Sequence, residues 1–354
     1  MAIRDAGKID KNFSLSPSIE IDGLMFYSAD ELGVFGLRHT DGIYRRMELA
    51  DAKRVSENVA LISSESAGGR CRFVTDSRRV AIKVEYRTVA KVPNYSYTAT
   101  LGFDLYSGER YVGCFVPPLD TADTLESIVN IPDDMTGMQA YTLNFPVCSE
   151  VSEVYIGVDE GSNIGAATEY SIRKPIVFYG SSTTQGACAS RPGNTYESII
   201  SRTLDCNYLN LGFWGNAKGE EAMAEYIASL EMSAFVYDYD YNAPSAEHLD
   251  ATHGKMFKII REKNPTLPIV ILSAPKYYLD EEHKKRLQII KRTFDDAVAS
   301  GDTRVAFISG RDMLKDVKDI ALADNIHPGD VGFVQIAKSV TYELKKMFFS
   351  GEKI

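Results

Sequence analysis

Apolar and polar residues alternate singly through much of the first 172 residues. Val80, Ile82, Val84 and Tyr86 fall on one side and Ala81, Lys83, Glu85 and Arg87 on the other. This period of two predicts a strand with one buried face. Similar short runs recur as ALISS at 60–64, RFVT at 72–75, YTATLGFDLY at 97–106, YVGCFV at 111–116, YTLNF at 141–145 and EVYIGV at 153–158. Turn formers such as Gly68-Gly69, Pro93-Asn94, Pro117-Pro118 and Pro132-Asp133 separate them. Many short strands so punctuated predict an all-β sandwich of jelly-roll type over residues 1–172.

From residue 173 to 354 the pattern becomes strand, loop, helix. IVFYG (176–180), YLNLG (208–212), AFVYDYD (234–240), PIVILS (268–273) and RVAFIS (304–309) are short apolar runs suited to burial on both faces of a parallel sheet. Helical segments are expected at 195–204, 220–230, 246–263, 281–299 and 331–348. In the fourth, Leu287, Ile290, Phe294 and Val298 define one buried stripe. This order predicts a doubly wound α/β domain with a five-stranded parallel sheet and right-handed crossovers, entered near 161–174.

A chain of 354 residues accommodates two such domains. Its net charge of −10 repels phosphate backbones and anionic lipid head groups, so neither nucleic acid nor membrane is an expected partner. No apolar run is long enough to cross a bilayer, and MAIRDAGKIDKNFS at the start lacks a signal-peptide core; a cytoplasmic location is the expectation. Cys71, Cys114, Cys148, Cys188 and Cys206 are scattered, with no CxxC pair to suggest a zinc site, and are expected to be reduced. Cys188 reads either as a small buried hydrophobe or as a reactive thiol beside a glycine-rich turn. Nothing in the pattern indicates an oligomeric state.

In a doubly wound fold the ligand sits beyond the carboxyl ends of the strands. The first strand ends in Gly180-Ser181-Ser182-Thr183-Thr184-Gln185-Gly186. Two glycines bracketing a serine fit a nucleophile lifted from the sheet edge, and equally a helix-capping serine in a tight turn. No GKS or GxGxxG pattern supports phosphate binding. After the second strand, Asn210-Leu211-Gly212-Phe213-Trp214-Gly215-Asn216 offers glycine N–H groups to the cleft, with Trp214 as wall or filler. Asn242, beyond the third strand, can donate to a developing oxyanion or bond its own turn. Aspartate precedes histidine by three residues at Asp250/His253, Asp280/His283 and Asp324/His327. The first pair falls inside a helix and the second at a helix N-cap, leaving Asp324/His327 in a turn-rich loop beyond the last strand. His39 and His248 read as structural or exposed.

GSSTTQG, NLGFWGN, DYNAP and DNIHP stand in the order and spacing of the four blocks of the SGNH/GDSL hydrolases, which 174–348 resembles. The resemblance implies a flavodoxin-like α/β/α fold with Ser182 as nucleophile, His327 as base and Asp324 as its orienting acid. It further implies oxyanion donors at Ser182, Gly215 and Asn242. Two positions depart from the family pattern: Ser181 replaces the acid before the nucleophile, and Ala243 the acid after the asparagine. Gly102-Phe103-Asp104-Leu105-Tyr106 resembles the GxDLY signature of an accessory β-sandwich found before one branch of this family. The implied activity is hydrolysis of small acyl esters, acetylated carbohydrates foremost, without metal or organic cofactor. Acyl transfer by the same residues, or carbohydrate binding by an inactive hydrolase fold, are the alternatives.

Overall fold

The computed structural model describes residues 19–21 and 23–349. The reading of residues 1–14 as lacking a signal-peptide core lies outside them. The chain divides into two units. The first comprises Met1–Arg46, Ser64–Glu169 and Arg191–Gly193, and the second Met47–Ser63, Tyr170–Ser190 and Asn194–Ile354.

Besides a two-stranded antiparallel sheet, Arg38–Thr40 with Ile43–Arg45, the first unit has two main antiparallel sheets. One runs in the order Ile19–Ile21, Leu24–Ser28, Glu150–Asp159, Arg79–Thr88, Thr124–Asn130. The other runs Ile164–Ala166, Arg70–Thr75, Gln139–Asn144, Phe103–Ser107, Arg110–Phe115, with Val34–Phe35 also on Arg70–Thr75. Val80, Ile82, Val84 and Tyr86 are buried as their alternation requires, in one core with Phe73, Phe103, Leu105, Phe115 and Leu143. Within 97–106 only the second part is strand; Tyr97–Thr100 is a helical turn. Gly102 ends it where a Cβ would stand 2.6 Å from the Thr98 carbonyl oxygen.

Asp104 lies on the strand between the core residues Phe103 and Leu105, on the opposite sheet face, and is fully buried. Its carboxylate accepts the Asn144 side-chain amide at 2.9 Å and the Gly193 N–H at 2.9 Å, and Arg191 Nε stands 3.3 Å away. The Arg191 guanidinium lies 4.2 Å from the centre of the Tyr111 ring and donates to the Tyr106 hydroxyl at 3.1 Å. Gly193 is obligatory here, since a Cβ would meet the Tyr106 ring at 2.4 Å.

The second unit opens with helices α1 (Leu49–Val55) and α2 (Glu57–Ile62). ALISS at 60–64, expected as strand, is therefore mostly helical. Ser56 caps α2 by accepting the Val59 N–H, and Val59, Ala60 and Ile62 bury themselves in the α/β core beside Met223 and Ile227. That burial explains why 47–63 groups with the second unit although it precedes the expected boundary in sequence.

Five parallel strands follow: β1 (Ile172–Gly180), β2 (Cys206–Gly212), β3 (Ala234–Asp238), β4 (Ile269–Leu272) and β5 (Val305–Ile308), in the order β2-β1-β3-β4-β5. The helices are α3 (Ser182–Gln185), α4 (Tyr196–Leu204), α5 (Glu221–Ser229), α6 (Ala246–Lys263), α7 (Glu281–Ala299) and α8 (Asp330–Phe348), with a short turn at Gly310–Met313. Both sheet faces are covered. Ile176 and Phe178 enter a core with Tyr196, Ile200, Val340 and Leu344, while Val177 and Tyr179 enter another with Met223, Leu249, Ile260 and Ile290. This is the flavodoxin-like three-layer arrangement. The buried stripe of α7 differs from the expected one: Ile289, Ile290, Thr293 and Ala297 face inward, and Val298 is 48% exposed.

Asp104→Ala removes the acceptor for two donors and leaves Arg191 without its counter-ion. It should lower the unfolding free energy by about 3 kcal/mol. Denaturant unfolding measures this, and a loss below about 1 kcal/mol would mean the cluster contributes little.

Candidate active site

Strands β1, β2 and β3 end level, with Gly180 paired to both Gly212 and Asp238. Beyond Gly180 the chain turns into α3. Ser181, extended at φ −74°, caps that turn by accepting the Thr183 N–H at 3.2 Å. The capping role thus falls to Ser181, and Ser182 is the first helical residue, 9% exposed. Gly186, at φ +106°, closes the turn in the left-handed region that favours glycine. Asn210 and Gln185 tie this turn to the next loop. Asn210 donates to the Thr184 carbonyl at 2.6 Å, and Gln185 accepts the Trp214 N–H at 3.2 Å. Gly212 permits the approach, because a Cβ there would lie 2.2 Å from the Gln185 nitrogen.

Asp238 underlies the turn. Its Oδ1 accepts the Ser181 N–H at 3.1 Å and the Thr184 hydroxyl at 2.7 Å, and it lies where a Gly180 Cβ would stand. Burial pushes its carboxyl up to about 7, although the Thr184 bond draws it back and neighbouring Asp240 adds to the rise. This residue was not singled out in the sequence. It supplies an acid beneath the turn where the family's preceding acid is replaced by Ser181.

The three aspartate-histidine pairs separate cleanly. Asp250 pairs with Arg292, whereas His253 is buried, 2.8 Å from the Thr293 hydroxyl and stacked on Tyr237 and Tyr239. Its burial pushes the imidazole down to about 3, so it stays neutral. Asp280 caps α7 by accepting the His283 N–H, and its carboxylate also lies 2.5 Å from His283 Nδ1. Asp324 makes the same contact at 2.8 Å to His327 Nδ1, while its Oδ1 accepts the N–H groups of Ile326 at 2.7 Å and His327 at 2.6 Å. The pairs at 280 and 324 are therefore near twins. What distinguishes His327 is Ser182 Oγ, 2.9 Å from its Nε2.

The loop carrying His327 is pinned by Ala323 N–H to the His327 carbonyl at 2.9 Å and by Gly329 N–H to the Ala321 carbonyl at 2.8 Å. Asp330, the first residue of α8, accepts the Ser190 N–H at 2.9 Å, the Ser190 hydroxyl at 2.6 Å and the Asn194 amide at 2.8 Å. The segment following the Ser182 turn is thereby fastened to the helix following His327. His39 lies 2.6 Å from Asp30, and His248 is 2.7 Å from the Lys218 carbonyl. Both are structural.

Gly215 has φ +71° with open space where a Cβ would be, so backbone conformation, not crowding, favours glycine there. Asn242 accepts the Ala217 N–H on Oδ1 at 3.3 Å, which turns its amide NH₂ away from that contact. Arg286 braces the Asn242 loop by donating to the carbonyls of Asp240 and Ala243 on either side. On the other side Asn58 of α2 donates to Asn216 at 3.0 Å. Trp214 is 42% exposed beside Gly215. A groove of about 520 Å³ between α6 and α7 is lined by Asp250, Phe257, Arg261 and Arg292 and includes none of Ser182, Gly215, Asn242, Asp324 and His327.

Cys188 follows the turn in a left-handed conformation, φ +64°. Its Sγ is 3.7 Å from Asp324 Oδ2, and burial with the nearby Asp324 charge pushes the thiol up to about 12. Burial and the neighbouring carboxylate both oppose the nucleophilic thiolate, which favours the reading of Cys188 as a small buried residue.

Residues 173–345 match the GDSL-like Lipase/Acylhydrolase family, and residues 24–164 match GxDLY, the N-terminus of Esterase_SGNH_hydro-type proteins. No curated protein matches the chain. Similar solved structures include a GDSL-like lipase candidate from Bacteroides ovatus ATCC 8483, 26% identical, covering 92% of this chain and 98% of that one at a TM-score of 0.82. A salicylyl-acyltransferase from a tetracycline biosynthetic pathway is 19% identical, with 93% and 98% covered at 0.74. An acetyl xylan esterase from the rumen bacterium Butyrivibrio proteoclasticus is 12% identical, with 94% and 100% covered at 0.62.

The Asp238 carboxyl holds its proton more tightly folded than unfolded, so its ionisation opposes folding. Its contribution is absent below about pH 4, grows as pH rises, and levels off above about pH 7 at about 4 kcal/mol. Asp238→Asn should therefore gain stability relative to the parent as pH rises from 4 to 7. Denaturant unfolding of both chains at pH 4, 5.5, 7 and 8 reads this, and a constant difference would refute it.

Proposed function

Given that the chain belongs to the SGNH/GDSL hydrolases, carboxylic ester hydrolases by class, we propose that it is a serine esterase whose catalytic residues are Ser182, His327 and Asp324. The observation that supports this reading is the continuous line from Ser182 Oγ through both ring nitrogens of His327 to Asp324, at 2.9 and 2.8 Å. Ser182 Oγ attacks the ester carbonyl while His327 Nε2 takes its proton. Asp324 accepts Nδ1–H and stabilises the imidazolium. The N–H groups of Ser182 and Gly215 and the Asn242 amide receive the developing oxyanion. His327 then returns the proton to the leaving alcohol, and water, deprotonated by the same imidazole, releases the acid.

The substrate we propose is a small acyl ester, with acetylated carbohydrate first. The acetyl xylan esterase among the similar structures supports that choice at the level of fold, and exposed Trp214 beside Gly215 offers a flat face to a sugar ring. Acyl transfer to an acceptor alcohol is the second reading, favoured by the salicylyl-acyltransferase likeness. It differs only in whether water or the acceptor reaches the acyl-enzyme.

Ser182→Ala should lower hydrolysis of p-nitrophenyl acetate by about 10⁴-fold or more with the fold intact, while Ser181→Ala keeps most of the rate. Asn242→Ala should cut kcat by about 10²–10³-fold with little change in KM. His283→Ala, whose imidazole has the same aspartate contact but no Ser182, should stay within about tenfold of the parent. A dead His283→Ala beside an active His327→Ala would sink the assignment. Product analysis with and without acceptor alcohols separates hydrolysis from transfer.

A further inference from the structure

Behind His327, on the side away from Ser182, three donors of different chemistry converge. Cys188 Sγ, one Asp324 oxygen and a His327 ring nitrogen all lie within 4.8 Å of one another. The closest separations are 3.7 Å from sulfur to Asp324 Oδ2 and 2.8 Å from Oδ2 to Nδ1. Neighbouring ligands of tetrahedral zinc are about 3.3–3.8 Å apart, given bonds of about 2.0–2.3 Å, so adjustments of about 1 Å would complete three corners. Asp324 suits this double duty, since Oδ1 stays on the Ile326 and His327 N–H groups while Oδ2 turns to the metal.

We propose that Cys188, Asp324 and His327 form an inhibitory site for a borderline-soft divalent cation of the zinc class. The inhibitory part rests on the assignment of His327 as the base; the binding part does not. Zn²⁺ would take the place of the proton between Nδ1 and Oδ2. The thiol proton leaves to solvent, Nδ1 gives up its proton, and Nε2 takes one up, so the ring stays neutral. Zinc, thiolate and carboxylate then sum to zero charge, which suits a half-buried site, and water fills the fourth position. The Asp324 carboxylate beside the sulfur supplies a charge that attracts a cation to this spot. The ring is left with Nε2–H facing Ser182. A nitrogen already protonated cannot accept the serine proton, so turnover stops. Calcium and magnesium, which prefer oxygen ligands, would not compete for this sulfur and nitrogen set.

The test uses the full chain and Cys188→Ser. In the parent, Zn²⁺ should lower p-nitrophenyl acetate turnover, EDTA should restore it, and Mg²⁺ should leave it unchanged. Cys188→Ser should keep the basal rate and need about 10–100-fold more Zn²⁺ for half inhibition. Cd²⁺ titration gives a readout independent of activity. The ultraviolet thiolate-to-cadmium band should rise to one equivalent per parent chain and be lost in Cys188→Ser. Equal zinc sensitivity in both chains, or a cadmium band that survives the substitution, overturns the site. An inactive parent that still shows the Cys188-dependent band would sink the esterase reading and leave the metal site standing.

Discussion

Asp238 presses its carboxylate into the space left by Gly180, and the shape of the Ser182 turn follows from that contact. A side chain at 180 would collide with the carboxylate, and without the carboxylate the Ser181 N–H would keep only the Asp238 carbonyl and the Thr184 hydroxyl only the Tyr196 hydroxyl. The two bonds to the carboxylate fix Ser181 and Thr184 of the turn relative to β3. Asn210 and Gln185 then fix it relative to β2. Ser182 is thus held by strands on both sides of β1, and its hydroxyl direction is set by the sheet more than by its own short helix. Placing a carboxyl with a raised proton affinity under the turn works against stability at neutral pH, a common exchange of stability for geometry at functional sites.

The α/β half was legible because the strands are largely buried on both faces and several helices carry their own cap, so local pattern and tertiary role agree. Ser245 and Asp280 cap α6 and α7 as their sequence positions suggest. Residues 60–64 were misread for the opposite reason. Their apolar positions belong to a helix of fewer than two full turns, too short for its period to stand out against the surrounding strands. The stripe of α7 slipped for a related reason: Phe294 and Val298 are apolar residues placed toward the edge of the contact, and apolar residues are common on surfaces.

At the site, spacing alone could not choose among three Asp-x-x-His segments, and the structure shows why. Two of them make the same aspartate-to-imidazole contact, because a carboxylate accepting backbone N–H groups three residues ahead is an ordinary capping geometry. Position beyond the last strand was the informative signal. Asp238, Asp330 and Arg286 carried no such signal, since each acts on backbone or side-chain groups distant in sequence. The GxDLY signature likewise reads as physics only once folded. Its aspartate is a buried acceptor for Asn144 and Gly193 and a counter-ion for Arg191, and its tyrosine lies against Gly193.

Asp330 adds a mechanical consequence. One carboxylate grips Ser190 and Asn194 and also begins the helix that follows His327, so the two segments bearing serine and imidazole share an anchor. Thermal displacement of that anchor carries both segments in the same direction, and motion common to two points leaves their separation unchanged. The gap between Ser182 Oγ and His327 Nε2 is thereby decoupled from slow breathing of the surrounding loops, much as two instruments bolted to one bench keep their alignment when the floor shakes.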